Sequence, residues 1–380
     1  MRISARALNR ATLGRQMLLG RESLDVVDAV RRVVALQAQQ PASPYVALWT
    51  RLSDFVPAEL DAAFADKTIV KATLMRITLH AVRADDHPAM HAAMQPTLRN
   101  ARLGDSRFTT SGLSAAHSDA LIPDLLEFAC QTRSTPEVKA WLDSRLGVPA
   151  EGVWWALRSF APLFHAPTGG PWSFGQRPSF VAAECRPALA GANASAESLQ
   201  TLVLRYLEGF GPASVADVAQ FALVQRTRVR KVLPHIKDQL DRLEGPNGEE
   251  LFDIPGAVRP DEDTPAPPRL MAMWDSTLLA YKDRSRVIPS DYRKLVTRVN
   301  GDVLPTLLVD GYVAGVWRAV EGGIEVTPFH RLPDEVWEGL ACEARSLVKF
   351  LADREPEVYR RYHHWWSKLP RADARLLPGD

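Results

Sequence analysis

Cysteine is scarce in this chain: Cys130, Cys185 and Cys342 are the three among 380 residues, and none has a CxxC partner or a histidine cluster at metal-ligand spacing. That argues against a disulfide framework and a structural zinc site, and leaves buried thiols as the simplest reading. Long apolar runs are lacking too. No stretch approaches the roughly 18 apolar residues of a membrane span, and no apolar segment follows Met1-Arg2-Ile3-Ser4-Ala5-Arg6. A soluble, cytoplasmic protein with no membrane partner is expected. Neither charge sign dominates, since 46 Lys and Arg face 45 Asp and Glu for a net charge of +1. Whole-chain charge therefore gives no support for nucleic-acid binding, which often goes with a strongly basic domain.

The usual signatures of cofactor or covalent chemistry are also missing. No GxGxxG or P-loop stands between a strand and a helix, and no carboxylate pair or nucleophile triad is recognisable, so no cofactor is expected. His87 and His91 are four apart with His80 upstream, but no glutamate adjoins His87 as in an HExxH motif and no thiolate is near. They read as structural or surface histidines, and no metal site is assigned. Asp85-Asp86 reads as the cap of the following helix rather than as a catalytic dyad.

What is present is a repeated order of elements. A chain of 380 residues exceeds the size at which one core keeps growing, which favours several domains. The clearest module lies within residues 197–260. Leu199 to Leu207 is helix-like and closes at Gly209-Phe210-Gly211-Pro212, Ser214 caps Val215 to Phe221, and a third helix is expected from Arg226 to Leu240. Pro246-Asn247-Gly248 then turns the chain between two strands. Three helices followed by a hairpin is the winged-helix order, in which the third helix meets a DNA groove. That helix starts with Arg226, Arg228, Arg230 and Lys231, the candidate phosphate contacts; a solvated charged face is the alternative.

A fainter copy spans 118–196: a helix from Asp119 to Gln131, another opened by Ser134-Thr135-Pro136-Glu137, a third from Val153 to Phe160, then a wing after Gly169-Gly170-Pro171. Residues 1–117 vary the theme, with helices at Ser4 to Leu13, Leu24 to Leu36, Ser43 to Arg51 and Ala58 to Ala65. Strands at Thr68 to Lys71 and Met75 to Val82 follow. Acidic, proline-rich Asp261 to Pro268 reads as a linker into a domain at 261–380, where turn signals at Asn300-Gly301-Asp302, Asp310-Gly311 and Gly322-Gly323 mark a β-meander. A helix from Asp334 to Leu351 should cover that meander. Tyr362-His363-His364-Trp365-Trp366 reads as a docked terminal segment. The expected fold class is thus α+β: three tandem winged-helix modules and a C-terminal β-rich domain with terminal helices.

The remaining feature is Leu36-Gln37-Ala38-Gln39-Gln40-Pro41, two amides spaced i, i+2 where an apolar helix is expected to stop. By themselves they can simply satisfy backbone groups at a helix end. Together with Arg76-Ile77-Thr78-Leu79-His80 and Gly211-Pro212-Ala213-Ser214, however, the chain resembles the HTH_42 winged-helix DNA glycosylases of the AlkZ and YcaQ type, over essentially its whole length. The resemblance, nearer the AlkZ branch, implies a C-shaped array of winged helices on double-stranded DNA and a monomeric, monofunctional glycosylase without a metal. It implies excision of N7-alkylated purines, including interstrand crosslinks of the azinomycin self-resistance kind, with Gln37 and Gln39 as the catalytic positions. YcaQ-type members carry a carboxylate where this chain has Gln39.

Amide chemistry suits such a substrate. A glutamine cannot serve as a strong base, but an N7-alkylguanine is already cationic and is neutralised as it leaves. Holding a water and stabilising the sugar cation with amide dipoles is then enough. A base tied to the opposite strand cannot rotate out of the helix, so the glutamines should be presented from a groove; an enclosed aromatic pocket beside Gln37 would be the contrary finding. The Asp310-Gly311 turn is a further candidate for a hairpin that probes DNA. Two other classes remain open: a non-catalytic winged-helix DNA-binding regulator, for which Gln37 has no special place, and a protein-interaction scaffold, which would show no salt-sensitive DNA binding.

Overall fold

A computed structural model of the protein describes residues 2–147, 149–183, 192–370 and 373–379. Helices and strands are mixed throughout, and two large cores separated by a sheet organise them. The strands of that sheet are β1 (Leu36–Gln37), β2 (Ile69–Thr73), β3 (Leu79–Arg83), β4 (Arg133–Ser134), β5 (Leu163–Ala166) and β6 (Ser179–Ala182), in spatial order β1-β3-β2-β5-β6-β4. Alternation along β2 serves both cores. Ile69 points with Leu36 and Ala81 into the first, and Val70 and Ala72 point with Val82 into the second. One joint, Lys71 opposite His165, fuses the strands of residues 1–117 with those of 118–196. These two segments therefore share one sheet.

The first core joins the N-terminal helices to the C-terminal domain. Helix Ser43–Arg51 is buried over its whole length, and Thr50 Oγ1 donates to Leu270 O at 2.8 Å. At its end Arg51 donates both terminal nitrogens to Asp275, at 2.8 and 2.9 Å, and both side chains are 1% exposed. The acidic stretch 261–268 is likewise strapped down: Arg6 Nε and Arg10 Nε donate to the carbonyls of Glu262 and Thr264. The C-terminal sheet is antiparallel, built from β9 (Arg269–Leu270), β10 (Thr306–Val309), β11 (Tyr312–Val320), β12 (Gly323–Pro328) and β13 (Arg375–Pro378). Helix Asp334–Ala352 packs against it. Tyr362, Trp365 and Trp366 are buried in a 3-10 helix, Arg360–Lys368, as the docked reading anticipates.

The second core gathers helices His87–Leu103, Glu151–Phe160 and Ala192–Phe210 beneath the sheet. Helix Ala192–Phe210, helix Val215–Ala222 with its Ser214–Asp217 capping box, and helix Arg226–Val232 precede the hairpin β7 (Asp241–Glu244) and β8 (Glu250–Asp253).

Several elements are shorter than their periodicity predicts. Helix 226–240 stops at Val232 because Pro234 supplies no amide hydrogen, and two 3-10 turns continue it. The expected helix 119–131 is two, Ala115–Ala120 and Ile122–Phe128, parted just before Pro123. Asp86 makes no side-chain cap bond and instead pairs with Arg205 at 3.2 Å. His87 and His91 are buried and stacked, ring centroids 5.3 Å apart, and no metal-binding cluster occurs among the described residues. Cys130 and Cys342 are exposed rather than buried, while Cys185 lies outside the described residues. No helix among the described residues is long and apolar enough to cross a membrane.

Candidate active site

The glutamine element does not close a helix. Helix Val26–Arg32 ends four residues before Leu36, and Leu36 and Gln37 pair as edge strand β1 with Ala81 and His80 of β3. The helical period was overridden by sheet pairing, which gives the backbone of Gln37 its partners and frees its side chain. That side chain is 5% exposed, and its Oε1 accepts from Arg76 Nη2 at 2.8 Å. Because guanidinium can only donate, the carbonyl end of Gln37 is committed to Arg76 and its NH2 end points elsewhere.

Arg76 is itself tightly held. Nη1 donates to Phe221 O at 2.9 Å, and Nη2 also lies 3.2 Å from His80 Nε2. His80 Nδ1 sits 3.0 Å from Thr78 O, so Nδ1 carries the hydrogen and Nε2 accepts from Arg76. Burial first, then the Arg76 cation, push the His80 pKa well down and keep this ring neutral. Burial also lowers Arg76, to about 10, which leaves it charged at neutral pH. The turn carrying it is strained: Arg76 has φ 55° and Ile77 φ 59°. For a β-branched residue this left-handed backbone costs on the order of 1–3 kcal/mol, a cost that tends to persist at working sites.

Gln39 has a different setting. It is exposed, and the nearest donor to its Oε1 is Leu79 N–H at 3.5 Å, the limit of a hydrogen bond. It lines an open cleft of about 840 Å³ whose wall includes Lys71, Arg102, Arg158, Arg360 and Arg361. The structure thus parts the two amides by environment: Gln37 is anchored below the surface, and Gln39 faces the cleft. Trp172, Phe174 and Tyr359 are buried in the wall of that cleft, and Trp172 Nε1 donates to Glu355 Oε2.

Sequence reasoning missed the cations of this cleft. Lys71 is 4% exposed, places its amine 4.2 Å from the centre of the Phe174 ring, and has neither hydrogen bond nor ion pair among the described residues. Burial pulls its pKa down to about 7. Burial, then the charges of Lys71 and Arg158, push His165 down to about 3. A lone lysine in the apolar run Thr68-Ile69-Val70-Lys71-Ala72 was the available signal.

The phosphate candidates divide. Arg226, Arg230 and Lys231 are exposed on helix Arg226–Val232 and make no ion pair or hydrogen bond among the described residues. Arg228 instead turns inward, donating to Ala93 O at 3.2 Å and Ser195 Oγ at 3.0 Å. The Asp310-Gly311 turn is occupied by the protein itself. The Asp310 carboxylate pairs with Arg6 and Arg10, Gly311 O accepts from Asn9 at 2.9 Å, and a Cβ on Gly311 would lie 2.4 Å from Leu13. That turn is a seat for helix Ala5–Arg15.

Comparison with known proteins shows the family of the chain. The family model described as DNA glycosylase AlkZ-like matches residues 30–350. An interstrand DNA cross-link repair glycosylase of Streptomyces sahachiroi is 26% identical over 358 residues, covering 88% of this chain and 93% of that protein. The solved structure of Streptomyces sahachiroi DNA glycosylase AlkZ superposes with a TM-score of 0.78 at 23% identity, covering 94% of this chain and 99% of that one, a likeness of fold. The chain belongs to the AlkZ-like family of DNA glycosylases, hydrolases that act on N-glycosyl bonds.

Proposed function

We propose that the protein hydrolyses the N-glycosidic bond of cationic N7-alkylated purines in duplex DNA and unhooks interstrand crosslinks that contain them, as in self-resistance to azinomycin-type agents. The three helix-and-hairpin segments would form a C-shaped array of winged helices around the duplex, with Arg226, Arg230 and Lys231 on phosphates. The observation that supports this reading best is Gln39: a neutral amide whose oxygen has no strong donor, on the wall of a cation-lined cleft.

The two glutamines divide the work. Gln39 Oε1 is free to accept from a water and to turn its negative end toward the sugar as positive charge develops. Gln37, locked through Arg76, presents its NH2 and fixes the edge strand that leads into the bend carrying Gln39. Neither needs to take up a proton in the bond-breaking step, because the bonding electron pair neutralises the departing purine and the positive charge is left on the sugar. Cations nearby would repel the sugar cation but attract the flanking phosphates, so the site favours lesions that leave readily.

A duplex containing N7-methylguanine tests this. Release of free N7-methylguanine is expected. A regulator without catalysis would bind the duplex with indifference to alkylation and release no base.

A further inference from the structure

Glycosidic hydrolysis leaves an abasic deoxyribose, whose ring-opened form is an aldehyde. We infer that Lys71 gives the cleft a second activity, on this product, beyond the monofunctional hydrolysis that the resemblance implies: its amine attacks the C1′ aldehyde of the abasic sugar and opens the strand by β-elimination. The inference concerns the step after base loss, so the N-glycosyl bond still breaks with water. It takes from the glycosylase reading only the origin of the substrate.

The geometry rests on sheet register. Lys71 pairs with Ala81 on one side and His165 on the other, so its side chain shares the face of these two residues. Gln37 pairs with His80, which pairs with Ala72, and these occupy the opposite face. Lys71 is thus separate from the Gln37–Arg76 network, yet it lines the cleft that Gln39 lines. A structural lysine in a sheet normally reaches a carboxylate, a carbonyl or bulk water. This one, 4% exposed, lies over Phe174 without a hydrogen-bond acceptor, and burial alone holds it near pKa 7. A sizeable share of it is therefore a free amine at neutral pH, the condition in which a desolvated lysine attacks a carbonyl. Arg102, Arg158, Arg360 and Arg361 around the same cleft suit the phosphates that flank an abasic sugar.

The chemistry balances without an added redox partner. The amine nitrogen adds to C1′, and loss of one water leaves a protonated imine. That cation acidifies C2′; its proton passes to solvent, the electron pair forms the C2′–C3′ double bond, and the C3′–O bond breaks with the phosphate as leaving group. Water then adds to the imine, returning the lysine and an unsaturated aldehyde at the 3′ end. Neutral His165, on the face of Lys71, adds no charge to oppose the imine cation.

A duplex with a pre-formed abasic site tests the inference independently of base excision, which is followed separately on N7-methylguanine. Protein and abasic duplex are mixed with sodium borohydride, which reduces the imine to a stable amine, and the adduct is mapped by peptide mass spectrometry. The expected result is a covalent adduct at Lys71, reduced at least tenfold in Lys71→Met and in Lys71→Arg, with melting curves and abasic-duplex binding of both variants recorded alongside. Absence of adduct with the wild-type protein, an adduct on another lysine, or equal trapping in Lys71→Met overturns the inference. Should a variant fail to fold, the mapped position in the wild-type protein decides the matter alone.

Discussion

Replacing Lys71 by methionine should stabilise the protein at neutral pH and leave it no more stable at high pH. The side chain is 4% exposed, and burial lowers its pKa from 10.5 to about 7. Each tenfold departure from the ordinary value is worth about 1.4 kcal/mol, so the cost of keeping this lysine in the sheet at pH 7 is on the order of 4 kcal/mol. Stacking of the cation over Phe174, 4.2 Å away, returns about 1 kcal/mol, and methionine forgoes it. A net gain of about 3 kcal/mol is expected for Lys71→Met at pH 7. Between pH 7 and 10.5 the unfolded chain holds a proton on Lys71 that the folded chain lacks, so wild-type stability rises with pH across that window. The advantage of the variant should therefore shrink steadily and vanish near pH 10.5. Paired urea melts of both proteins at pH 7, 8, 9 and 10 measure this directly, since every other titrating group cancels in the difference. A difference that does not change with pH would mean instead that Lys71 is solvated like any surface lysine.

Other consequences concern the contacts that hold the site. Removing Arg226, Arg230 and Lys231 together should flatten the salt dependence of DNA affinity by about three in log–log slope, whereas Arg228→Ala should lower stability and leave that slope alone, as fluorescence titrations at several salt concentrations can show. Asp275→Ala strands the buried Arg51 guanidinium and should cost about 3–5 kcal/mol in a denaturant melt, with much of the loss recovered when Arg51 is also replaced by methionine. Gly311→Ala combines φ 80° with a Cβ placed 2.4 Å from Leu13 and 2.6 Å from Asn9, so it should destabilise by about 2 kcal/mol by loosening helix Ala5–Arg15, read as faster amide exchange there.

Much of the local structure was legible in the sequence where signals were short-range. The capping box Ser134–Glu137, helix Ser43–Arg51, helix Asp334–Ala352 and the strands around Asp310-Gly311 and Gly322-Gly323 lie where caps, prolines and turn residues place them. Features that depend on distant partners were not legible. An apolar run through Leu36 satisfies a helix and a strand equally, and only β3, some forty residues later, decides for the strand. Nothing near Arg228 in sequence announces Ala93 and Ser195 as its partners. The site shows the same division. Gln37 and Gln39 were visible as a motif, but the Arg76 clamp on one and the cleft beside the other arise from pairing across a sheet. Lys71 was hidden because it lies thirty-two residues beyond Gln39 in sequence and joins the same cleft only through that sheet.

On the proposed mechanism, an amide facing the cleft, supported by a second amide held from below, removes a cationic purine without a base. Single-turnover release of N7-methylguanine from a duplex, measured for the wild-type protein, Gln37→Ala, Gln39→Ala and the double variant, tests it most directly. Gln39→Ala should slow release by about 10² to 10³, worth roughly 3–4 kcal/mol, with duplex affinity retained and Gln37→Ala also impaired. Release at the wild-type rate by the double variant would mean that the two amides take no part in the reaction.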